Sequence, residues 1–169
     1  METRKILETY KRYLQTIEDL NSDLFTNYKT ISKFLYDKCN DNELSTLMNL
    51  HCIGQVVQEI KRRDIRIKDV CKEGWSSSAT QEGYRLLRNM KNHQYDFDNT
   101  TFIINFKRFM ELIKNQSPYV ELYLWYCYSN EIGTRLFRVS MSEIEEAAAN
   151  AIKAEEENYA DSEANEQEP

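Results

Sequence analysis

One stretch of this chain concentrates side chains that can do chemistry together: Arg88-Asn89-Met90-Lys91-Asn92-His93-Gln94-Tyr95. A guanidinium stays charged at any working pH and offers a planar fork of N–H donors that matches phosphate oxygens. An imidazole titrates near neutrality, so it can take up a proton or release one. A carboxamide both donates and accepts, and can hold either an imidazole ring or a phosphate. Cutting an RNA chain without a metal needs these parts: a base for the ribose 2′-hydroxyl, an acid for the departing 5′-oxygen, and positive charge beside the phosphorane oxygens.

The element that must position them is a helix over residues 79–93. Gly83, Leu86, Leu87 and Met90 recur at helical spacing and form its apolar stripe, with His93 at the flank. At about 100° per residue, Asn89 lies about 40° from His93 around the axis, whereas Arg88 lies about 140° away. Asn89 and His93 are therefore neighbours, and Arg88 is not. Arginine and histidine meet at one substrate atom only if the last turn unwinds or a second copy of the motif faces the first, as a closed twofold dimer provides.

This pattern resembles the signature of the HEPN family of all-helical ribonucleases: an arginine, a polar residue, three variable residues and a histidine at a helix end. Arg88, Asn89 and His93 match it position for position. In the branch of toxins paired with nucleotidyltransferase antitoxins the motif extends to a tyrosine two residues beyond the histidine, where Tyr95 stands. The resemblance is firm over eight residues and loose over the helix order of 79–128. With two histidines in the chain, the arginine–histidine spacing alone arises by chance in roughly one such sequence in ten; adding the asparagine and the tyrosine lowers that to the order of one in a thousand.

The resemblance implies a metal-independent endoribonuclease in defence, stress response or toxin–antitoxin function, needing no cofactor and leaving a cyclic phosphate. Its partners would be RNA, a second copy of the chain and an antitoxin protein. Arg88 would clamp phosphate, Asn89 orient, and His93 move protons, with Tyr95 a candidate site of nucleotide attachment. Asp96-Phe97-Asp98-Asn99 departs from the toxin branch, which continues into a further helix pattern.

Charge bears on the partner. The formal net charge is −6, but residues 143–169 hold ten carboxylates against the single base Lys153, and residues 1–142 carry an excess of three positive charges. Lys61, Arg62, Arg63, Arg66, Lys68, Arg85, Arg88 and Lys91 crowd the middle of the chain. Among them Arg62, Arg63, Arg85 and Lys91 are the candidate RNA-binding residues, although such clusters more often form solvated helix faces.

The 169 residues suit a domain with a proper core, and four glycines and two prolines leave little material for the turns of a many-stranded sheet. The expectation is an all-α, up-and-down helical bundle over 1–142, followed by an acidic helix and disordered C-terminal tail over 143–169. Helices are expected over 3–20, 24–38 after an Asn21-Ser22-Asp23 cap, a long central stretch from Leu44 to Ile60, 79–93 after capping serines, and from Pro118 onward. Ser140 or Ser142 is expected to cap the last one. Thr100-Thr101-Phe102-Ile103-Ile104, β-branched and aromatic, predicts at most one short strand or hairpin. The segment Tyr119–Tyr128 is apolar or aromatic on nearly every side and must be covered, by the core or by a second subunit.

Other chemistries find little support in the residues. Cys39, Cys52, Cys71 and Cys127 stand far apart with no C-x-x-C pair and read as reduced, mostly buried thiols. His51, on an apolar helix without ligand-type neighbours at metal spacing, reads as a core or interface histidine, and no metal site is expected. Phosphate-loop and hydrolase-elbow motifs do not occur. The absence of a long apolar run and of a signal-peptide start predicts a cytoplasmic protein without membrane contact. The competing reading is a non-catalytic helical interaction factor, viral or accessory, that docks a partner through its aromatic helix.

Overall fold

The computed structural model describes residues 2–20, 24–38, 42–71, 78–94 and 100–167. Among these the chain is all-α, with no strand. The helices are α1 (Glu2–Leu20), α2 (Leu24–Lys38), α3 (Glu43–Arg62), α4 (Ile67–Val70), α5 (Ser78–His93), α6 (Thr100–Lys114), α7 (Pro118–Glu131) and α8 (Met141–Gln167), with a 3-10 turn at Arg135–Phe137. No described helix is long and apolar enough to cross a membrane. The chain divides into two compact units: Met1–Cys52 with Val139–Pro169, and Ile53–Arg138. The boundary falls within α3.

In the first unit α1 packs on α2 and on α8. Tyr10 is fully buried. Its hydroxyl donates to the Met48 carbonyl oxygen at 3.0 Å and lies 2.8 Å from His51 Nδ1. One hydroxyl proton serves one acceptor, so the His51 bond requires the Nδ1-protonated tautomer donating to the tyrosine oxygen. Burial lowers the His51 pKa from its ordinary 6.5. At the start of α3 the Asn42 side chain accepts the Ser45 N–H at 2.8 Å, satisfying one of the donors that every helix N-terminus leaves open.

The first half of the acidic α8 is bound into this unit. Ile144, Ala147 and Ala148 are buried. Lys11 pairs with Glu145 at 3.0 Å and Arg4 with Glu156 at 3.5 Å, so α1 and α8 run antiparallel. Of the two serines expected as caps, Ser140 performs the role, its Oγ accepting the Glu143 N–H at 3.2 Å. The cap clusters expected at Asn21-Ser22-Asp23 and Ser76-Ser77 lie outside the described residues.

The second unit is built on α5, α6 and α7. The stripe read from the sequence packs as read: Gly83, Leu86, Leu87 and Met90 are buried. Gly83 sits so close to α7 that an added Cβ would stand 2.5 Å from Leu124 Cδ2. Around Trp125 the rings meet edge to face, with Phe109 at 5.6 Å and Phe137 also at 5.6 Å between centroids, the geometry that aromatic quadrupoles prefer. Val120, Leu122, Tyr123, Leu124, Trp125 and Tyr128 are all buried. The inner face of the aromatic helix is thus covered by its own unit's core, while Tyr119, Tyr126 and Cys127 stay partly exposed.

One local expectation is corrected. Residues 100–104 form the first turn of α6, not a strand or hairpin. β-branched residues cost a helix only a few tenths of a kcal/mol each, whereas a lone strand leaves its backbone groups without ladder partners. Asn105, Phe109 and Ile113, spaced by four, bury the inner face of α6, and the Asn105 side chain donates to the Thr101 carbonyl oxygen at 2.8 Å.

Candidate active site

The motif occupies the last two turns of α5, a helix whose opposite face is locked into the core by Leu86, Leu87 and Met90. Arg88 is exposed, while Asn89 and His93 are partly exposed. Tyr95 lies outside the described residues. The helix stays regular through His93, so the angular separation read from the sequence holds: Asn89 stands beside His93, and Arg88 points elsewhere.

Arg88 opens into a cleft of about 470 Å³ between α5 and α7. Tyr84, Arg88 and Lys91 supply the α5 wall, and Cys127, Asn130 and Glu131 the α7 wall. Neither Asn89 nor His93 lines it. Lys91 Nζ meets Glu131 Oε2 at 2.9 Å across its rim. Among the described residues Arg88 makes no ion pair, and its guanidinium is available to an anion.

Two of the lining residues, Tyr84 and Cys127, are protonated at neutral pH, as is Tyr123, which bonds Tyr84 from outside the cleft lining. The Tyr84 and Tyr123 hydroxyls share a hydrogen bond, and burial raises the pKa of both. Burial likewise pushes the Cys127 thiol up to about 11. A thiol so raised carries almost no thiolate near neutrality, so Cys127 is no nucleophile here. Cys71 is similarly raised by burial, to about 12.

The four cations expected to bind RNA each meet a carboxylate. Arg62 lies 2.7 Å from Glu59 and Arg63 lies 3.2 Å from it. Arg85 meets Glu82 at 2.5 Å, and Lys91 meets Glu131. The Arg62 hydrogen bond lowers the Glu59 pKa, and the Arg85 hydrogen bond lowers that of Glu82, so both carboxylates are ionised at neutral pH. Exposed pairs of this kind contribute little to stability; Glu82 and Glu131 each offset one cation, whereas the single charge of Glu59 is shared by Arg62 and Arg63.

Sequence reasoning missed the α7 wall. Its signal was present: Tyr84, Arg88 and Lys91 recur at i, i+4 and i+7, and Cys127, Asn130 and Glu131 at i, i+3 and i+4, each set on one helix face. Among the described residues no group of three or more His, Cys, Asp and Glu side chains is placed to hold a metal ion. His51 instead bonds Tyr10, the structural role read for it. Comparison of the chain with protein-family models, with curated proteins and with solved structures gives no match.

Proposed function

We propose that this protein is a metal-independent endoribonuclease of HEPN type, acting as a homodimer in defence, stress response or toxin–antitoxin function. The observation that carries the reading is the accessibility of Arg88, Asn89 and His93 at the end of a helix whose other face is immobilised in the core. A catalytic group needs both properties, access to substrate and a fixed base.

In this reading His93 takes the proton of the ribose 2′-hydroxyl as the oxygen attacks phosphorus. The bond to the 5′-oxygen breaks, that oxygen leaves with the proton the same imidazole has taken up, and a 2′,3′-cyclic phosphate remains. Arg88 stabilises the charge on the phosphorane oxygens, and Asn89 orients the neighbouring imidazole. Because Arg88 and His93 face different ways on one helix, each site draws them from two chains. Ile103 and Ile104, each 44% exposed in the first turn of α6, support the dimer: Phe102 and Gln94 line one cleft, so these isoleucines flank the motif end of α5 and supply apolar surface for a subunit contact.

Purified protein in EDTA is expected to cut single-stranded RNA and to leave cyclic phosphate ends. His93→Ala should abolish cutting, by at least the 10²–10⁴-fold typical of a lost proton-transfer group, with an unchanged melting temperature. An unsubstituted chain that leaves RNA intact, or a His93→Ala chain that cuts normally, would contradict the assignment.

A further inference from the structure

A second cleft, of about 630 Å³, opens in the Ile53–Arg138 unit beside the motif end of α5. Gln94, the residue after His93, lines it together with Phe102, Tyr128, Arg135 and Arg138. Two features make this a built surface. In 3-10 geometry residues three apart lie nearly one above the other, the Arg138 N–H donates to the Arg135 carbonyl oxygen at 3.3 Å, and both arginines line the cleft. The turn is anchored by Phe137, which lies between them in sequence and is buried against Trp125 and Tyr128. Where Phe137 is packed, the two arginines are aimed.

Chain geometry supports the same conclusion. Gly133 adopts φ +122°, which L side chains rarely take, and carries α7 into the turn while its N–H and that of Ile132 both donate to the Tyr128 carbonyl oxygen. A Cβ at Gly133 would meet nothing within 4 Å, so the backbone there faces open space. Arg135 and Arg138 are exposed and, unlike Arg62, Arg63, Arg85 and Lys91, form no ion pair among the described residues. Phe102 adds a partly exposed ring, and Tyr128 a hydroxyl that burial keeps protonated and able to donate.

We infer that this cleft is the phosphodiester-binding track of the protein, with Arg135 and Arg138 contacting successive phosphates of a single RNA strand and Phe102 offering a face to a base. Two cations lining one cleft, a ring beside them and an open backbone match the combination by which single strands are held without regard to sequence. Gln94 joins the cleft to His93, so the track leads the strand to the motif. The inference rests on the ribonuclease reading for that destination and on the cleft itself for the binding.

The test uses the full chain carrying His93→Ala, so that substrate survives, and a short fluorescent oligouridine whose affinity is measured across a salt series. Arg135→Gln with Arg138→Gln should weaken binding on the order of tenfold at low salt and flatten the log–log salt dependence by about 1.4, the slope of two single-strand phosphate contacts. Each single Gln variant should flatten it by about half as much, and Arg→Lys at both positions should restore most of the slope. Unaltered affinity and slope in the double variant would overturn the inference, as would displacement of the strand by inorganic phosphate at equal concentrations of phosphate groups, which would make the cleft a free-phosphate site. Cutting is read separately on chains retaining His93. If the unsubstituted chain cuts and the arginine variants bind normally, the track fails and the nuclease stands. If the variants lose binding and the unsubstituted chain never cuts, the nuclease fails and the track stands.

Discussion

At Gly83 the motif helix is pressed closely against α7, and its replacement gives a prediction whose sign depends on a single neighbour. In Gly83→Ala the new methyl would stand 2.5 Å from Leu124 Cδ2, 3.3 Å from Cδ1 and 3.4 Å from Cγ, with Leu124 fully buried. Overpacking of that kind costs about 1–3 kcal/mol, while alanine in place of glycine inside a helix returns about 1 kcal/mol. The expected outcome is a net loss of about 1 kcal/mol, or a melting temperature lower by about 2–4 °C for a chain of this length. Leu124→Ala alone should cost about 2–5 kcal/mol by opening a cavity. In that background the obstruction is gone, and Gly83→Ala should stabilise by up to about 1 kcal/mol. Urea and thermal denaturation of the four proteins measure the coupling directly. If Gly83→Ala has the same effect in both backgrounds, to within about 0.5 kcal/mol, the claim that α5 is held against α7 through this contact is wrong.

Gly54 offers a contrast. A Cβ there would stand 2.7 Å from Phe137 Cβ and 2.9 Å from its carbonyl oxygen, atoms that leucine at this position retains, so Gly54→Ala should cost about 1–3 kcal/mol in unfolding experiments and should do so equally with Phe137→Leu present. His51 predicts a pH dependence. Its folded pKa lies below the ordinary 6.5 because it is buried, so the unfolded chain takes up the proton first: stability is complete above about 6.5 and declines as pH falls below that value. The carboxylates with lowered pKa, Glu59, Glu82 and Glu155, add their own loss only at lower pH, as the solution approaches their ordinary 4.5. Thermal melts between pH 7 and pH 5 should therefore slope downward in the unsubstituted chain and be flat in His51→Gln.

The fold was legible wherever burial follows a helical period. The α5 stripe, the α1 and α3 patterns and the Pro118 start of α7 follow from spacing and capping chemistry alone, because an apolar face at 3.6-residue intervals has one way to be covered. Residues 100–104 misled because β-branched composition is a weak local preference, which the four-residue recurrence of Asn105, Phe109 and Ile113 overrides. The acidic segment was legible as charge but not as packing: Ile144, Ala147 and Ala148 are too sparse to mark a core face, yet they bury against the first unit's helices.

The site divides in the same way. Helix geometry sufficed to separate Arg88 from His93 and to join Asn89 to it. The carboxylate partners of Arg62, Arg63 and Arg85 were also within reach, since Glu59 and Glu82 stand three or four residues before them. Pairing of Lys91 with Glu131 depends on how α5 lies against α7, which no local pattern encodes. Arg135 and Arg138 escaped notice because two arginines in an irregular segment carry no signal until a buried Phe137 fixes the turn between them.

The central claim is that each reaction centre takes its guanidinium from one chain and its imidazole from the other. Arg88→Ala and His93→Ala chains, each inactive alone, should regain activity when mixed and allowed to exchange subunits. Half of the dimers would then be mixed, and one of the two sites in each would be whole, so about a quarter of the unsubstituted activity is expected. Mixtures that exchange subunits yet stay as inactive as either parent would contradict the account.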